Sequence, residues 1–277
     1  MTGGTTVVRK AVSSAALEQP FPFSGQSDDE PAAFQVERAS GASAFLIVCD
    51  HASRRLPRRL GTLGLSEEDL GRHIAWDIGV AEVARQLGER LDACSIMQSY
   101  SRLAIDANRP PGSPDSILYR SDDTAIPGNR GLSSAEVDRR AREIFHPYHG
   151  RISQQLDRRI HAGPSPVLVA LHSFTPSLGG RARPWHVGVL YQRDARFARP
   201  LLDLLRQQPD LVVGDNEPYA ASDETDYTIV VHGERRGLPH VEIELRQDLI
   251  SDAVGQTAWA ARLALLLPRA LQSMFRP

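Results

Sequence analysis

The sequence has few cysteines, almost no lysine and no long apolar run. Only Cys49 and Cys94 occur in 277 residues, which argues against a disulfide framework or a cysteine-based zinc site and suits a reducing compartment. Lys10 is the lone lysine, and the arginines are interspersed with acids, so no basic patch indicates nucleic-acid binding. No stretch approaches the roughly 18 apolar residues of a membrane-spanning helix. No apolar segment typical of a secretory signal follows Lys10. We therefore expect a cytoplasmic protein that binds neither nucleic acid nor membrane.

The bulk composition is that of an ordinary globular protein, with 41% hydrophobic and 24% charged residues and a net charge of −2. A chain of this length buries roughly three quarters of the surface that its unfolded form exposes, so a full core is available. Residues 1–30 are rich in small and polar residues and lack periodicity. We predict a poorly ordered tail over 1–30 and a single α/β domain over 31–277.

Short apolar runs alternate with helical patterns along the body of the chain. The predicted strands are residues 45–50, 93–100, 103–105, 167–171, 186–191, 227–231 and 241–245. One predicted helix starts at Ser66. Four others cover residues 77–91, 133–161 (bent or interrupted at Pro147), 197–207 and 248–274. This alternation predicts an α/β fold with a mostly parallel sheet covered by helices on both faces. The long segment 110–132 between predicted elements indicates a functional loop.

Reactive side chains fall at the predicted strand ends. His51 follows the first of these strands, His172 ends another, and Glu242 and Glu244 lie on the last. Asp77 stands at the start of a predicted helix. Ligands of open α/β sheets bind beyond the carboxyl ends of the strands. Two histidines and one carboxylate form a common catalytic zinc shell, and a further carboxylate can act as general base.

Position alone leaves structural alternatives open. A histidine at a strand end is more often packed or hydrogen-bonded than a metal ligand. Asp77 is also explained as an acid favoured at a helix N-terminus, and Arg246 can be an ion-pair partner for Glu244 on the same strand face. The chain contains none of the HExxH, GxGxxG, GxxxxGK[ST] and GxSxG motifs. The common metalloprotease, nucleotide-binding and serine-hydrolase signatures are thus excluded, but the strand-end site is not.

Seven sequence blocks, in order and at family-like spacing, resemble the N-formylglutamate amidohydrolase family. They are residues 49–53 (Cys-Asp-His-Ala-Ser), 73–79 (His-Ile-Ala-Trp-Asp-Ile-Gly), 100–110 (Tyr-Ser-Arg-Leu-Ala-Ile-Asp-Ala-Asn-Arg-Pro), 171–176 (Leu-His-Ser-Phe-Thr-Pro), 214–219 (Gly-Asp-Asn-Glu-Pro-Tyr), 232–233 (His-Gly) and 238–246 (Leu-Pro-His-Val-Glu-Ile-Glu-Leu-Arg). The resemblance covers about residues 45 to 275. It implies a mixed sheet between helices, similar to zinc-dependent exopeptidases of the phosphorylase/hydrolase-like fold.

The resemblance also implies a chemistry: hydrolysis of an N-acyl amide, in the named case releasing formate and glutamate. One zinc ion is then the cofactor, with His51 and His172 as ligands and Asp77 as the carboxylate ligand. Glu244 takes the general-base role, and Arg102 polarises the scissile carbonyl and supports the oxyanion.

Further residues carry implied substrate contacts. Asn108 and Arg109 resemble the Asn-Arg pair with which zinc carboxypeptidases bind a substrate carboxylate, a task that suits the planar guanidinium. Arg246, His232 and Tyr219 are the other predicted substrate contacts. The expected partner is a small N-acyl amino acid, and the expected assembly is a monomer or homodimer.

One departure from the carboxypeptidase pattern keeps alternatives open. Arg54 stands where that pattern supplies a glutamate, so the third ligand must come from elsewhere, and His73 rivals Asp77 for that position. The same departure motivates a second hypothesis, a non-catalytic small-molecule-binding protein that keeps the pocket but not the metal. A third hypothesis is a metal-free hydrolase with Ser53 or Ser173 as nucleophile, although neither lies on a recognisable elbow.

Overall fold

Eleven strands are present in the computed structural model, which describes residues 30–163 and 165–275. They are β1 (Phe34–Glu37), β2 (Phe45–Cys49), β3 (Cys94–Gln98), β4 (Arg120–Ser121), β5 (Thr124–Ala125), β6 (Val167–Phe174), β7 (Ser177–Leu178), β8 (Arg181–Ala182), β9 (Val187–Leu190), β10 (Val213–Asp215) and β11 (His240–Arg246). Seven of them form the central sheet, in the order β1-β3-β2-β6-β11-β9-β10. The pairs β4–β5 and β7–β8 are separate two-stranded hairpins.

The central sheet is mixed and mostly parallel. Its core run β3-β2-β6-β11 is parallel, as is the pair β9–β10. Only β1 against β3 and β9 against β11 are antiparallel within this sheet of the described chain. The carboxyl ends of β2, β6 and β11 therefore meet at one edge, where ligands of such sheets bind.

Seven α-helices are present in the described part of the chain. They are α1 (Glu67–Gly71), α2 (Val80–Leu91), α3 (Ser134–Arg140), α4 (His146–Ala162), α5 (Ala198–Arg206), α6 (Thr228–His232) and α7 (Ala253–Met274). The predicted starts of α1 and α3 are confirmed, because the hydroxyls of Ser66 and Ser133 accept hydrogen bonds from backbone N–H groups three residues later. No helix in the described ranges is both long and apolar enough to cross a membrane.

Both faces of the sheet are covered by helices. Ile47, Cys49 and alternate residues of the neighbouring strands pack under α2, α5 and α7. Leu46, Val48 and their neighbours face α4 and α6 on the opposite side. Strands buried on both faces read as continuous apolar runs, which is why they stood out in the sequence. The predicted single-domain α/β fold with helices on both faces is confirmed.

Two strand predictions are wrong. Residues 227–231 form most of helix α6, in which Val231 N–H donates to the Tyr227 carbonyl at 2.9 Å. The β-branched run Thr-Ile-Val-Val indicated a strand, but tertiary packing overrides this weak propensity. Residues 103–105 form turns, since Ala104 N–H donates to the Ser101 carbonyl at 2.9 Å. Their apolar side chains are buried without belonging to a sheet.

The helical segment 133–161 is continuous but changes type before Pro147. A π-helical stretch, Ala141–Phe145, joins α3 to α4, and Pro147 lies in the first turn of α4. Pro147 lacks the N–H of a regular helical hydrogen bond, and the helix changes type directly before it. Of the predicted tail, residues 1–29 lie outside the described residues.

Candidate active site

The sheet edge brings together three side chains that are far apart in the sequence. His51 follows β2, His172 lies near the end of β6, and Asp77 precedes α2. The Asp77 N–H donates to the His51 carbonyl at 3.0 Å, which fixes the loop after β2 against the loop before α2. Gly79, with a φ of 82°, makes the turn from Asp77 into the helix in a backbone conformation that glycine favours. Helix α2 therefore begins at Val80, later than predicted.

The three side chains form one buried donor group. His51 Nδ1 and His172 Nδ1 face the same oxygen, Asp77 Oδ2, at 3.4 and 3.0 Å. One ligand atom from each of the three residues lies within 4.8 Å of the others, so the group could hold a metal ion. Two imidazoles and one carboxylate are a donor set that zinc prefers. We refer to His51, Asp77 and His172 as the donor group.

The outer ring nitrogens are oriented by a second set of carboxylates. His51 Nε2 donates to Asp106 Oδ1 at 2.7 Å, and His172 Nε2 donates to Asp50 Oδ2 at 3.1 Å. Metal-binding histidines almost always donate their other N–H to such a group, which fixes the ring tautomer and leaves the inner nitrogen free for the metal. The residues present thus fit a zinc site.

Helices α4 and α6 hold Asp50 in place. Its Oδ1 atom accepts hydrogen bonds from Tyr148 Oη at 2.8 Å and from Thr228 Oγ1 at 2.9 Å. Burial raises the pKa of Asp50, but the hydrogen bond and charge of His172 outweigh burial and lower it to about 2. Asp50 is therefore an anion that leaves its second oxygen for His172.

Arg102 holds the other orienting carboxylate. Its Nε and Nη2 atoms donate to Asp106 Oδ2 at 3.0 and 2.6 Å. Its Nη1 atom lies 3.6 Å from Asp77 Oδ1, so the guanidinium borders the donor group directly. Burial raises the pKa of Asp106, yet the charges of Arg102 and His51 hold it well below its usual range. Arg102 thus links two of the site carboxylates.

The imidazoles are basic in this setting. Burial and the charge of Arg102 lower the pKa of His51, but Asp106 and Asp77 outweigh them and raise it overall. Burial also opposes the protonated form of His172, whose pKa is nevertheless raised well above its usual value by the surrounding carboxylates. A metal ion binding here would therefore compete with protons.

Glu244 lies beside the donor group with an unused oxygen. It is opposite His172 in the register of β11 and β6 and is 5% exposed. Its Oε2 atom is buried and has no hydrogen-bond partner among the described residues. Burial raises the pKa of Glu244 to about 7. A carboxyl group with this pKa can accept and return a proton near neutral pH.

Glu242 differs from its neighbour on β11. Its Oε2 atom lies 3.4 Å from Asn108 Nδ2. Burial raises the pKa of Glu242 well above its usual value and so favours the protonated carboxyl. The two glutamates on one strand face therefore both have raised pKa values, but only Glu242 lies beside Asn108.

Asn108 and Arg109, the predicted carboxylate-binding pair, already make hydrogen bonds within the protein. Asn108 Oδ1 accepts from Thr228 N at 2.9 Å, at the start of α6. Arg109 Nη1 donates to the carbonyl oxygens of Asn108, at 3.2 Å, and of Thr225. The substrate-binding role of Asn108 and Arg109 stays a prediction.

The other predicted substrate contacts bond to residues outside the donor group. Arg246 makes a two-atom pair with Asp248 at 2.8 and 3.2 Å, and His232 stacks on and hydrogen-bonds to His149 at 3.0 Å. Within the described chain, neither bonds to the donor group. Tyr219 Oη accepts a hydrogen bond from Arg183 Nη1 at 2.9 Å.

The alternative candidates for ligand and nucleophile have other partners. His73 Nε2 pairs with Asp122 at 2.9 Å, outside the donor group, so Asp77 and not His73 completes it. The Ser173 hydroxyl donates to the Ile78 carbonyl at 3.1 Å. The Ser53 hydroxyl accepts from a backbone N–H. No histidine–serine hydrogen bond of a nucleophilic pair occurs in the described residues.

Sequence reasoning gave no role to Asp50 or Asp106, although both stand in the family-like blocks. Their positions offered a signal: Asp50 directly precedes the strand-end histidine, and Asp106 follows Arg102 by four residues. Tyr148 and Thr228, which hold Asp50, gave no local signal because they lie on distant helices.

Comparison with known proteins shows the family of the chain. A family model described as N-formylglutamate amidohydrolase matches residues 43–251. A gene product of Agrobacterium tumefaciens with a crystal structure is 39% identical, with a TM-score of 0.87 over 90% of this chain and 99% of that chain. An N-formylglutamate amidohydrolase from Ralstonia eutropha shares the fold at 18% identity, with a TM-score of 0.70 over 87% of this chain and 98% of that chain. No curated protein sequence matches. The matched segment contains the donor group and Glu244 and supports an amidohydrolase; the chain belongs to the N-formylglutamate amidohydrolase family.

Proposed function

We propose that this protein is a zinc-dependent amidohydrolase that cleaves a small N-acyl amino acid of the N-formylglutamate type. The observation that carries the proposal is the buried donor group beside the unpartnered Glu244 oxygen. Family membership supports the reaction class, and the donor atoms support the choice of metal.

His51 Nδ1, His172 Nδ1 and Asp77 Oδ2 would hold the zinc ion. Zinc, when bound, supplies a Lewis acid that polarises an amide carbonyl and lowers the pKa of water. Asp106 and Asp50 keep the proton of each imidazole on Nε2, so both Nδ1 lone pairs would stay free to bind the metal.

Glu244 performs the proton transfers. Its Oε2 atom accepts a proton from the attacking water, and the carboxylic acid so formed returns it to the nitrogen of the leaving amine. Both steps need a group whose pKa lies near the pH of the solution, and the raised Glu244 pKa of about 7 meets this requirement. Burial also keeps bulk water from competing for the carboxylate.

Arg102 stabilises the negative charge that develops on the carbonyl oxygen. Its Nη1 atom borders Asp77, and its other two donor nitrogens are fixed by Asp106. A cation held in place before the reaction costs no reorganisation when charge develops. Asn108 and Arg109 remain our candidates for the α-carboxylate of the substrate.

Hydrolysis by the zinc-loaded protein tests the proposal. We expect release of glutamate from N-formyl-L-glutamate, and we expect Glu244→Gln to lower kcat by about 10²- to 10⁴-fold because it removes the general base. Glu89→Gln, an exposed carboxyl on α2, is the matched control and should keep full activity.

Two outcomes would overturn the proposal. One is full activity of a Glu244→Gln variant that still binds zinc. The other is no turnover by the zinc-loaded wild type across a panel of N-acyl amino acids. Tight binding of these compounds without turnover would instead support the non-catalytic binding protein.

A further inference from the structure

Arg183 is a nearly buried cation without a carboxylate partner. The residue is 8% exposed, and within the described chain it forms no ion pair. Its Nη1 atom donates to Tyr219 Oη at 2.9 Å and to Thr175 Oγ1 at 3.3 Å, both neutral acceptors. A guanidinium has five N–H donors, so Nε and Nη2 remain available. Charges buried in proteins are normally paired with an opposite charge, so the Arg183 guanidinium is suited to bind an anion.

The other arginines near the site are already engaged. Arg102 and Arg246 each make a two-atom pair with an aspartate, and Arg109 donates to two backbone carbonyl oxygens. Of these four guanidiniums, Arg183 alone combines burial with an unsatisfied charge in the described structure. It is therefore the group best prepared to receive an anionic part of a substrate.

Arg183 lies on the same side of the sheet as the donor group. Its guanidinium carbon is 5.9 Å from the centre of the Phe174 ring. Phe174 follows His172 by two residues on β6 and so points to the same face, roughly 7 Å further along the strand. Arg183 thus lies next to the position that follows the facing pair His172 and Glu244 by two residues along β6.

Tyr219 connects Arg183 to the reaction centre. The guanidinium lies over the Tyr219 ring, 4.9 Å from its centre. Burial and then the charge of Glu244 raise the pKa of Tyr219, while Arg183 and Arg102 lower it, so these groups share one electrostatic environment. The Tyr219 hydroxyl accepts from Arg183 and donates to no group in the described residues, so its proton is available to a ligand.

The backbone holds Arg183 in a fixed position. The residue directly follows the β7–β8 hairpin, and its N–H donates to the Pro176 carbonyl at 2.8 Å. The Thr175 hydroxyl that accepts from Arg183 itself donates to the Ser177 carbonyl at 2.7 Å. A guanidinium anchored in this way loses little freedom when it binds a ligand.

We propose that Arg183, with Tyr219, binds the side-chain carboxylate of the substrate and makes the protein selective for N-acyl derivatives of acidic amino acids. The planar fork of arginine matches a carboxylate with two parallel hydrogen bonds. The side-chain carboxylate lies further from the scissile bond than the α-carboxylate, in keeping with the position of Arg183 beyond the His172–Glu244 pair. This inference rests on the proposed amidohydrolase function.

The test compares N-formyl-L-glutamate with N-formyl-L-glutamine, its neutral isostere, in the wild type and in Arg183→Met. We expect the variant to lose about 10- to 150-fold in kcat/KM for the glutamate derivative, mainly through KM, because a charged hydrogen-bonded contact is removed. The glutamine derivative should change by less than about 3-fold. Arg193→Met, an exposed arginine paired with Asp223, is the control and should leave both values unchanged.

An equal loss for both compounds would make Arg183 a structural residue and overturn the inference. Arg183→Lys keeps the charge without the fork and should retain part of the preference for glutamate, which covers the case in which the Met variant does not fold. If the wild type turns over neither compound, the proposed function fails, and the affinities for L-glutamate and L-glutamine still test Arg183. Equal affinity of the wild type for these two amino acids would then overturn it.

Discussion

Replacing Asp50 with asparagine should weaken zinc binding without touching a donor atom. Asp50 is fully buried and serves three donors: the hydroxyls of Tyr148 and Thr228 on Oδ1, and His172 Nε2 on Oδ2. An asparagine that keeps its carbonyl oxygen for the two hydroxyls presents an NH2 group to His172. The imidazole must then move its proton to Nδ1, the atom that faces Asp77.

The magnitude follows from this change of tautomer and from the lost charge. Removing the group that orients a metal-binding histidine typically costs 10- to 100-fold in metal affinity, or about 1.4 to 2.7 kcal/mol. We expect the upper part of this range, because Asp50→Asn removes the carboxylate charge and also places a proton on the atom that should bind zinc.

Competition with a fluorescent zinc chelator measures this loss. Asp210→Asn is the matched control, since Asp210 is an exposed aspartate paired with Arg262, and its affinity should equal that of the wild type. Thermal unfolding of the metal-free proteins separates weak binding from misfolding. Wild-type zinc affinity in a folded Asp50→Asn protein would refute the argument that Asp50 sets the tautomer of His172.

Two further predictions concern protons and packing. Burial lowers the pKa of His51 and of His172, but the facing carboxylates outweigh burial and raise both pKa values. Zinc must therefore displace protons, and its apparent affinity should rise from pH 6 to pH 8 by about tenfold per pH unit for each proton released. A zinc titration in which the affinity is constant or falls with pH would contradict this prediction. Gly188→Ala should destabilise the protein by about 1–3 kcal/mol in urea unfolding, because the new Cβ would collide with the Glu217 carbonyl oxygen. Gly150→Ala, at an exposed helical position with open space around it, should be neutral or stabilising by up to about 1 kcal/mol, and an equal effect of the two substitutions would contradict the packing argument.

The parts of the fold that could be predicted are those set by local pattern. Doubly buried strands such as β2 and β6 appear as apolar runs, and the helix starts at Ser66 and Ser133 carry their own caps. The histidines at the strand ends followed from these strands, because parallel strands end at one edge. Helix α6 could not be predicted in this way, since its β-branched residues favour a strand until packing decides.

The site beyond the donor group depends on contacts between distant residues. Tyr148 and Thr228, whose hydroxyls bind Asp50, are 98 and 178 residues away from it in the sequence, so no local spacing marks them. The unpaired state of Arg183 likewise follows only from what surrounds it in three dimensions. Sequence position indicated which residues are reactive, but not which of the arginines remain free to bind a substrate.

Metal content tests the central claim most directly. Protein purified without added metal, and again after zinc reconstitution, is measured by elemental analysis for the wild type, for His172→Ala and for the exposed control His161→Ala. The account predicts about one zinc per chain in the wild type and the control, and almost none in His172→Ala. No zinc in the reconstituted wild type, or equal zinc in the three proteins, would contradict the assignment of the donor group.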